Sequence, residues 1–284
     1  MNRIEQLELQ AVIKENSGYL ARQEIEKVKD TCRSDPKRLE PYGFKVYSQS
    51  DEDGILTEIF KRLNIEKGVF CEIGVENGLE CNTFFLLHKG WKGVWLEGNP
   101  DQQAPIQSRF ASLLNKKCLS VMIGYVTPDN INNNIQQACQ WIGAQRTDID
   151  FISIDIDGMD IYLLEALSFQ PKVICIEYNS KFPPPVFKKP VFDSNYAWNN
   201  MSDYMGSSLT ALTETANLKG YSLVATNIVG SNAFFVRDDI LGDHFVSNTT
   251  PEALYNPPRY YLVFNHYHFG VGHPAGFGPY TDLI

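Results

Sequence analysis

The residues of this sequence that could do chemistry stand at the ends of short apolar runs. After the first run, residues 69–73, Gly74 and Gly78 let the backbone turn tightly and approach a ligand closely. Glu97 ends the second run, about 20 residues after the glycines, where a carboxylate can accept both hydroxyls of a ribose. This order predicts a site for an adenosine-type ligand. The alternative is that the glycines serve only the loop and that Glu97 is a solvated surface acid.

One residue distinguishes two adenosine ligands. Dinucleotide sites carry G-x-G-x-x-G, because the second glycine makes room for the pyrophosphate. Here the residue two positions after Gly74 is Glu76. A carboxylate at this turn repels pyrophosphate but favours a ligand with a sulfonium charge and no phosphate. The sequence therefore predicts S-adenosylmethionine rather than NAD.

Acidic residues cluster after the fourth apolar run, together with Ser153. Strand alternation would put Asp155 and Asp157 on one face, roughly 6–7 Å apart, where buried carboxylates repel each other. The pair could act as a base, clamp a substrate hydroxyl or join a divalent-metal site. The structural alternative is that one acid caps the next helix and the other is merely solvated. We do not favour a metal, because no third oxygen ligand is identifiable.

Two further groups of polar residues could face a second substrate. Tyr178 and Asn179 follow the fifth apolar run and precede a proline-rich stretch, 181–186, that could stiffen a covering loop. In the aromatic stretch 260–273, His266 and His268 could act as a general base, bind a substrate phosphate or bind metal. The structural alternatives are a plain crossover loop and an aromatic strap with hydrogen-bonded imidazoles.

The elements that position these residues alternate between strand and helix. Strands are predicted over 69–74, 93–97, 119–123, 151–156 and 173–177. Helices are predicted over 1–31, 53–64, 81–89, 102–115, 130–142, 161–167 and 207–219. Strands 221–226 and 233–237 then form an antiparallel hairpin. The pattern predicts an α/β protein with five parallel strands, a terminal hairpin and helices on both faces, and ligands bind at the carboxyl ends of such strands.

Composition narrows the class of protein. The chain has 284 residues, 43% hydrophobic and 21% charged, which is typical of a folded globular protein. A net charge of -9 disfavours nucleic acid as a partner. The sequence has no apolar run of about 20 residues and no apolar signal core near its start, and its six cysteines are scattered, so we expect a reduced, cytoplasmic setting. The first helix could be an extra layer on the core or a contact between copies in a homo-oligomer.

Six segments carry a family resemblance. They are SQSDEDG at 48–54, FCEIGVENGLE at 70–80, VWLEGNP at 94–100, FISIDIDGMD at 151–160, VICIEYN at 173–179 and GSNAFFVR at 230–237. Through them the chain resembles class I S-adenosylmethionine-dependent methyltransferases, specifically the FkbM-like family, over about residues 44–238. The resemblance implies a seven-stranded Rossmann-like methyltransferase sheet whose last strand is antiparallel. It divides the chain into a helical extension (1–43), a methyltransferase domain (44–240) and an aromatic, histidine-rich tail near the acceptor site (241–284).

The resemblance also implies an activity and a set of contacts. Methyl transfer to a sugar hydroxyl of a nucleotide-linked sugar or glycan precursor, in polysaccharide biosynthesis, is the implied reaction. Alternatives are another small acceptor, such as a phosphoryl or natural-product oxygen, or a non-catalytic nucleoside-binding module that serves a glycosyltransferase. The expected cofactor contacts are Ser48, Gln49, Glu72, Gly74, Asn77, Gly78, Glu97 and Asp155. Expected at the acceptor are Asp155, Asp157, His266 and His268 for catalysis, and Tyr178 and Asn179 for binding.

Overall fold

The computed structural model describes residues 3–198 and 202–263, and a seven-stranded sheet forms its centre. The strands are β1 (Val69–Ile73), β2 (Lys92–Glu97), β3 (Leu119–Ile123), β4 (Ile149–Ile154), β5 (Val173–Glu177), β6 (Tyr221–Thr226) and β7 (Asn232–Arg237). Their order is β3-β2-β1-β4-β5-β7-β6. The first five strands pair in parallel, and β7 is antiparallel to both of its neighbours. The predicted seven-stranded sheet of five parallel strands and a terminal antiparallel hairpin is confirmed.

Helices cover both faces of the sheet. In the described residues they are α1 (Arg3–Cys32), α2 (Glu52–Arg62), α3 (Phe84–His88), α4 (Gln103–Arg109), α5 (Ala111–Asn115), α6 (Ile131–Trp141), α7 (Asp160–Ala166), α8 (Leu209–Leu218), α9 (Asp238–Leu241) and α10 (Pro251–Leu254). Buried side chains of α2 to α5 form the core on one face, and those of α6, α7, α8 and α10 form the core on the other.

Tertiary contacts change two predicted boundaries. The helix expected over 102–115 is divided into α4 and α5 at Phe110, whose buried ring packs edge-on against Trp95 and Phe84. The helix expected over 81–89 begins only at Phe84. Its expected first turn is lost because the backbone amides of Asn82 and Thr83 bind a buried carboxylate instead.

Side-chain alternation determines which residues reach the functional edge of the sheet. In β4, Phe151 packs on the α2 side and Ile154 on the opposite side. Ile154 pairs with Ile176 of β5, and Glu177 pairs with Asn232 of β7. Asp155 follows Ile154 and Glu177 follows Ile176, so alternation turns both side chains to the α2 side. Asn232, the partner of Glu177, lies on the same side, and the three residues form a row at the carboxyl ends of β4 and β5.

The long helix α1 contacts the core only through its second half. Residues 3–16 are exposed, whereas Ala21 and Ile25 pack against Ile228, Val229 and Leu262. The second half therefore forms the extra layer considered above. Exposed apolar side chains of the first half include Leu7, Val12 and Ile13. None of the described helices combines the length and the apolar character that crossing a membrane requires.

This unequal packing predicts unequal effects of truncating the two isoleucines of α1. Ile25→Ala should lower the free energy of unfolding by about 2–4 kcal/mol, because it leaves a cavity against Val229 and Leu262. Ile13→Ala should change it by less than about 0.5 kcal/mol, because Ile13 is 54% exposed. Urea unfolding of both variants measures the difference. Equal losses would show that the first half of α1 is also covered in solution.

Candidate functional site

The predicted glycine turn is present after β1, and both glycines are required there. Gly74 and Gly78 have φ values of +82° and +77°, which side chains rarely tolerate. A Cβ atom on Gly74 would lie 1.7 Å from the Asp155 carbonyl oxygen. A Cβ atom on Gly78 would meet the Trp95 ring at 2.6 Å. The turn after β1 therefore lies directly against the chain leaving β4, so the two candidate regions form one site.

Glu97 closes this turn from the end of β2. Its Oε2 atom accepts hydrogen bonds from the backbone N–H groups of Val75 (3.0 Å) and Glu76 (2.7 Å). Its Oε1 atom accepts one from Asn99 N–H (2.7 Å). Glu97 thus positions the glycine turn, a role that the sequence did not indicate. Because a carboxylate has about four lone-pair sites, a ribose contact stays compatible with these three bonds, and it stays a prediction.

Glu72 is buried inside β1 and binds the loop that follows the turn. Its carboxylate accepts hydrogen bonds from Asn82 N–H (2.8 Å), Thr83 N–H (3.0 Å) and the Thr83 hydroxyl. Burial outweighs these bonds and raises the pKa of Glu72 to about 7. The side chain of Asn77 accepts a hydrogen bond from Leu79 N–H and shapes the same loop. The structure gives both residues a positioning role, and their cofactor contacts remain predictions.

The SQSDEDG segment folds back onto the start of α2. Oδ2 of the buried Asp53 accepts three hydrogen bonds from the backbone N–H groups of residues 46–48, at 2.6–2.9 Å. Gly54 is required because a Cβ atom there would lie 2.2 Å from the Phe44 nitrogen. Ser48 is buried by this fold, whereas Gln49 is exposed. Only Gln49 therefore presents its side chain to solvent for the predicted contact.

Glu52, which was not predicted as a site residue, connects α2 to the β6–β7 turn. Its Oε1 atom accepts hydrogen bonds from the Ser50 hydroxyl (2.9 Å), Asn227 Nδ2 (2.7 Å) and Asn232 Nδ2 (3.0 Å). Glu52 is fully buried. The available signal was the run of polar residues in SQSDEDG and the polar start, Ser231 and Asn232, of the otherwise apolar strand segment GSNAFFVR.

Three carboxylates meet at the carboxyl ends of β4 and β5. One oxygen each from Asp155, Asp157 and Glu177 lies within 4.8 Å of the others. The prediction that Asp157 continues the strand is wrong, because β4 ends at Ile154 and Asp157 adopts the left-handed conformation (φ +57°). The turn and the β4–β5 pairing bring in Glu177 as the third oxygen donor that sequence analysis lacked. Such a trio suits a divalent cation, a shared proton or a cationic ligand.

We call the region between the glycine turn after β1 and the carboxylates at the ends of β4 and β5 the crevice. The carboxylates around it raise one another's pKa. Burial is the main cause for Glu177, followed by the charges of Asp155, Asp160 and Asp157, and its pKa lies well above the usual range. Burial and the charge of Asp157 likewise raise the pKa of Asp155 well above its usual range. Burial and the charges of Asp157 and Glu97 also raise the pKa of Glu76, beside the glycine turn. The crevice therefore favours positive charge and disfavours phosphate.

The alternative that an acid caps the helix after β4 is wrong, because Met159 occupies the N-cap of α7 and no side chain caps it. Asp160 instead holds the preceding turn. Its carboxylate accepts hydrogen bonds from Ile156 N–H (2.7 Å) and Gly158 N–H (2.9 Å), which closes the turn before α7. Burial raises its pKa to about 6. Above this turn lies the ring of Tyr196, which a Cβ atom on Gly158 would meet at 2.5 Å. The described part of the loop after β5 thus contacts the turn between β4 and α7.

The remaining predicted residues do not reach the crevice in the described structure. Tyr178 is fully buried, and its hydroxyl donates to the Asn256 carbonyl oxygen at 2.7 Å. The buried Asn179 donates to the Asp203 carbonyl oxygen and accepts from Lys181 N–H, so it holds its own loop. The expected substrate contacts are replaced because the side chain of Tyr178 follows alternation to the opposite face of the sheet. His266 and His268 lie outside the described residues.

Comparison with known proteins finds similarity only among solved structures. No family model and no curated protein matches this chain. One similar structure is a putative caffeoyl-CoA O-methyltransferase from Staphylococcus aureus, with a TM-score of 0.44 and 13% identity over 78% of this chain and 99% of that one. A second is the N-terminal domain of EvdMO1 in the presence of S-adenosylhomocysteine and D-fucose, with a TM-score of 0.41 and 11% identity over 74% and 94%.

A third is the glycopeptide N-methyltransferase MtfA complexed with S-adenosylhomocysteine, with a TM-score of 0.38 and 11% identity over 64% of this chain and 86% of that one. The scores and identities are low, so these likenesses carry no argument about the ligand or reaction of this chain.

Asp51, beside this site, predicts a pH dependence of stability. It is buried next to Glu52, and its pKa is raised to about 7 by burial and that charge. The folded state therefore binds more protons than the unfolded state between about pH 4 and pH 7, and the free energy of unfolding falls as pH rises through this window. Asp51→Asn should reduce this slope by up to about 1.4 kcal/mol per pH unit.

Urea unfolding across this pH range measures the slope. The amide oxygen that this substitution introduces could still accept the Ile228 N–H hydrogen bond that Asp51 accepts in the native protein. Asp129→Asn, at an exposed position, is the matched control. An unchanged slope in Asp51→Asn would contradict the raised pKa.

Proposed function

We propose that this chain is an S-adenosylmethionine-dependent O-methyltransferase that acts on a sugar hydroxyl of a nucleotide-linked sugar or glycan precursor. The observation that carries the proposal is the contact between the glycine turn and the carboxylate cluster, where Gly74 abuts the Asp155 carbonyl oxygen. This contact joins a close-approach ligand site on β1 to proton-accepting groups on β4 and β5. The choice of a sugar as the methyl acceptor rests on the family resemblance of the sequence.

The turn fits an adenosyl ligand that has a positive charge and no phosphate. Gly74 and Gly78 expose the backbone, and Glu97 stands at the end of β2. Glu76 occupies the position where a dinucleotide site needs glycine, and its neighbours Asp157 and Glu97 are also acidic. When bound, S-adenosylmethionine supplies a methyl group activated by its sulfonium charge. The surrounding carboxylates favour that charge electrostatically.

The carboxylates after β4 supply the remaining chemistry. An acceptor hydroxyl must lose one proton, and an oxygen of Asp155 or Asp157 is the proposed proton acceptor. Their raised pKa values bring them closer to the pKa of an efficient base at neutral pH. The ring of Tyr196 over Gly158 limits access of water and helps to align the acceptor, so positioning contributes to the rate.

Cofactor binding should depend on Glu97. Glu97→Ala should weaken binding of S-adenosylhomocysteine by roughly 1.5–3 kcal/mol, because it removes a charged acceptor and releases the N–H groups of Val75 and Glu76. Calorimetric titration measures the affinity, and Asp101→Ala, at an exposed position nearby, is the control. Unchanged affinity would remove Glu97 from the site, and binding of NADH in place of S-adenosylhomocysteine would reject the methyltransferase proposal.

Turnover should depend on Asp157 more than cofactor binding does. Asp157→Asn keeps a residue type that tolerates the left-handed conformation, so the turn should be retained. We expect turnover on a glycan-precursor panel to fall about 100-fold while S-adenosylhomocysteine affinity changes less than about threefold. Equal losses in both would indicate misfolding.

Two outcomes with the native protein bear on the alternatives. Tight S-adenosylhomocysteine binding without turnover on any acceptor would favour the non-catalytic nucleoside-binding module. Loss of activity with EDTA that is restored by a divalent cation would show that Asp155, Asp157 and Glu177 hold a metal. Activity that survives EDTA would leave the carboxylates as the proton-accepting groups.

A further inference from the structure

Two buried hydrogen-bond acceptors belong to paired residues of β5 and β7. Within residues 3–198 and 202–263, Glu177 Oε2 and Asn232 Oδ1 have no hydrogen-bond partner. The two residues are direct partners across β5 and β7, which places their Cβ atoms about 5 Å apart on one face of the sheet. Asn232 is only 4% exposed. We call these residues the Glu177–Asn232 pair.

The orientation of the Asn232 amide is determined by Glu52. Asn232 Nδ2 donates to Glu52 Oε1 at 3.0 Å, and that oxygen also accepts hydrogen bonds from Ser50 and Asn227. Turning the amide over would place its oxygen against a carboxylate. Oδ1 is therefore held as an acceptor, and a ligand that satisfies it must bring a donor.

The place of the pair in the sheet separates it from the predicted cofactor region. Along the carboxyl edge the order is Gly74 of the β1 turn, Asp155 after β4, Glu177 on β5 and Asn232 on β7. Asp155 and Asp157 lie nearest the glycine turn, where proton transfer is proposed. The Glu177–Asn232 pair lies beyond them and so faces the part of the acceptor that does not react.

The chemistry of the pair selects among three kinds of occupant. A neutral hydroxyl has a single donor, so it satisfies one of the two acceptors and leaves the other without a partner. A divalent cation would use Asp155, Asp157 and Glu177 together, and Asn232 is outside that trio. A primary ammonium has three N–H donors and a positive charge, so it satisfies Asn232 Oδ1 and neutralises Glu177 at once.

We infer that the acceptor carries a primary ammonium group, bound by Glu177 and Asn232, next to the hydroxyl that is methylated. The acceptor class is then an amino sugar or a similar hydroxylated amine. This inference rests on the proposed function and specifies its substrate class. In it Glu177 and Asn232 act as specificity-determining residues, and the proton-accepting step stays with Asp155 or Asp157.

A matched set of three sugars tests the inference. The native protein, saturated with S-adenosylhomocysteine, is titrated with D-glucosamine, D-glucose and N-acetyl-D-glucosamine below the pKa of the glucosamine amine. We expect D-glucosamine to bind about tenfold more tightly than the two neutral sugars. Glu177→Gln should abolish that preference and keep S-adenosylhomocysteine affinity. Glu66→Gln, at an exposed position before β1, should keep both.

The contrary outcomes separate this inference from the proposed function. If S-adenosylhomocysteine binds but D-glucosamine shows no preference, either because all three sugars bind alike or because none binds, the ammonium inference is wrong and the proposed function stands. A preference that persists in Glu177→Gln also overturns it. Saturable Mn²⁺ binding that Glu177→Gln removes, without an amine preference, would assign the carboxylate to a metal. Failure to bind S-adenosylhomocysteine would instead contradict the proposed function.

Discussion

Backbone N–H groups donate hydrogen bonds to several buried carboxylates of this protein, and that constraint shapes the loops at the carboxyl edge of the sheet. Glu97 and Asp53 each accept three backbone hydrogen bonds, and Glu72 accepts two together with a hydroxyl bond. Each acid crosslinks a loop that would otherwise leave its amides unsatisfied. The glycine turn, the loop after it and the segment before α2 are therefore positioned by acids whose hydrogen bonds lie within the chain.

Hydrogen bonding to the backbone distinguishes two groups of acids that the sequence alone does not distinguish. Glu72, Asp53 and Asp160 accept hydrogen bonds from nearby backbone, whereas Asp155, Asp157 and Glu177 gather around a crevice. Because carboxylates are acceptors only, a group left with other carboxylates as neighbours favours a proton or a cation. The charge pattern of the site thus depends on how many donors each acid receives: Asp155 has a backbone donor from Asp157, whereas Glu177 Oε2 has no partner among the described residues.

Glu52 is another buried carboxylate that crosslinks parts of the fold. A buried carboxylate at the start of α2 collects side-chain amides from the β6–β7 turn and from β7, so the helix layer and the reversed strand are joined at one atom. The rigidity that results orients Asn232. An antiparallel β7 therefore contributes more than an extra strand, because it delivers a polar side chain opposite Glu177 at the carboxyl end of β5.

Apolar alternation and glycine placement determined the sheet, its terminal hairpin and the turn after β1 from the sequence alone, because these depend on local periodicity and on backbone conformations that only glycine readily adopts. The identity of the interacting acids did not follow in the same way. A left-handed turn at Asp157 and the pairing of β4 with β5 and β5 with β7 brought Glu177 and Asn232 into the site. Tyr178 was turned to the opposite face by the same alternation. The face taken by Tyr178 thus follows from local periodicity, but which residues meet across strands depends on which strands become neighbours, and only the tertiary structure decides that.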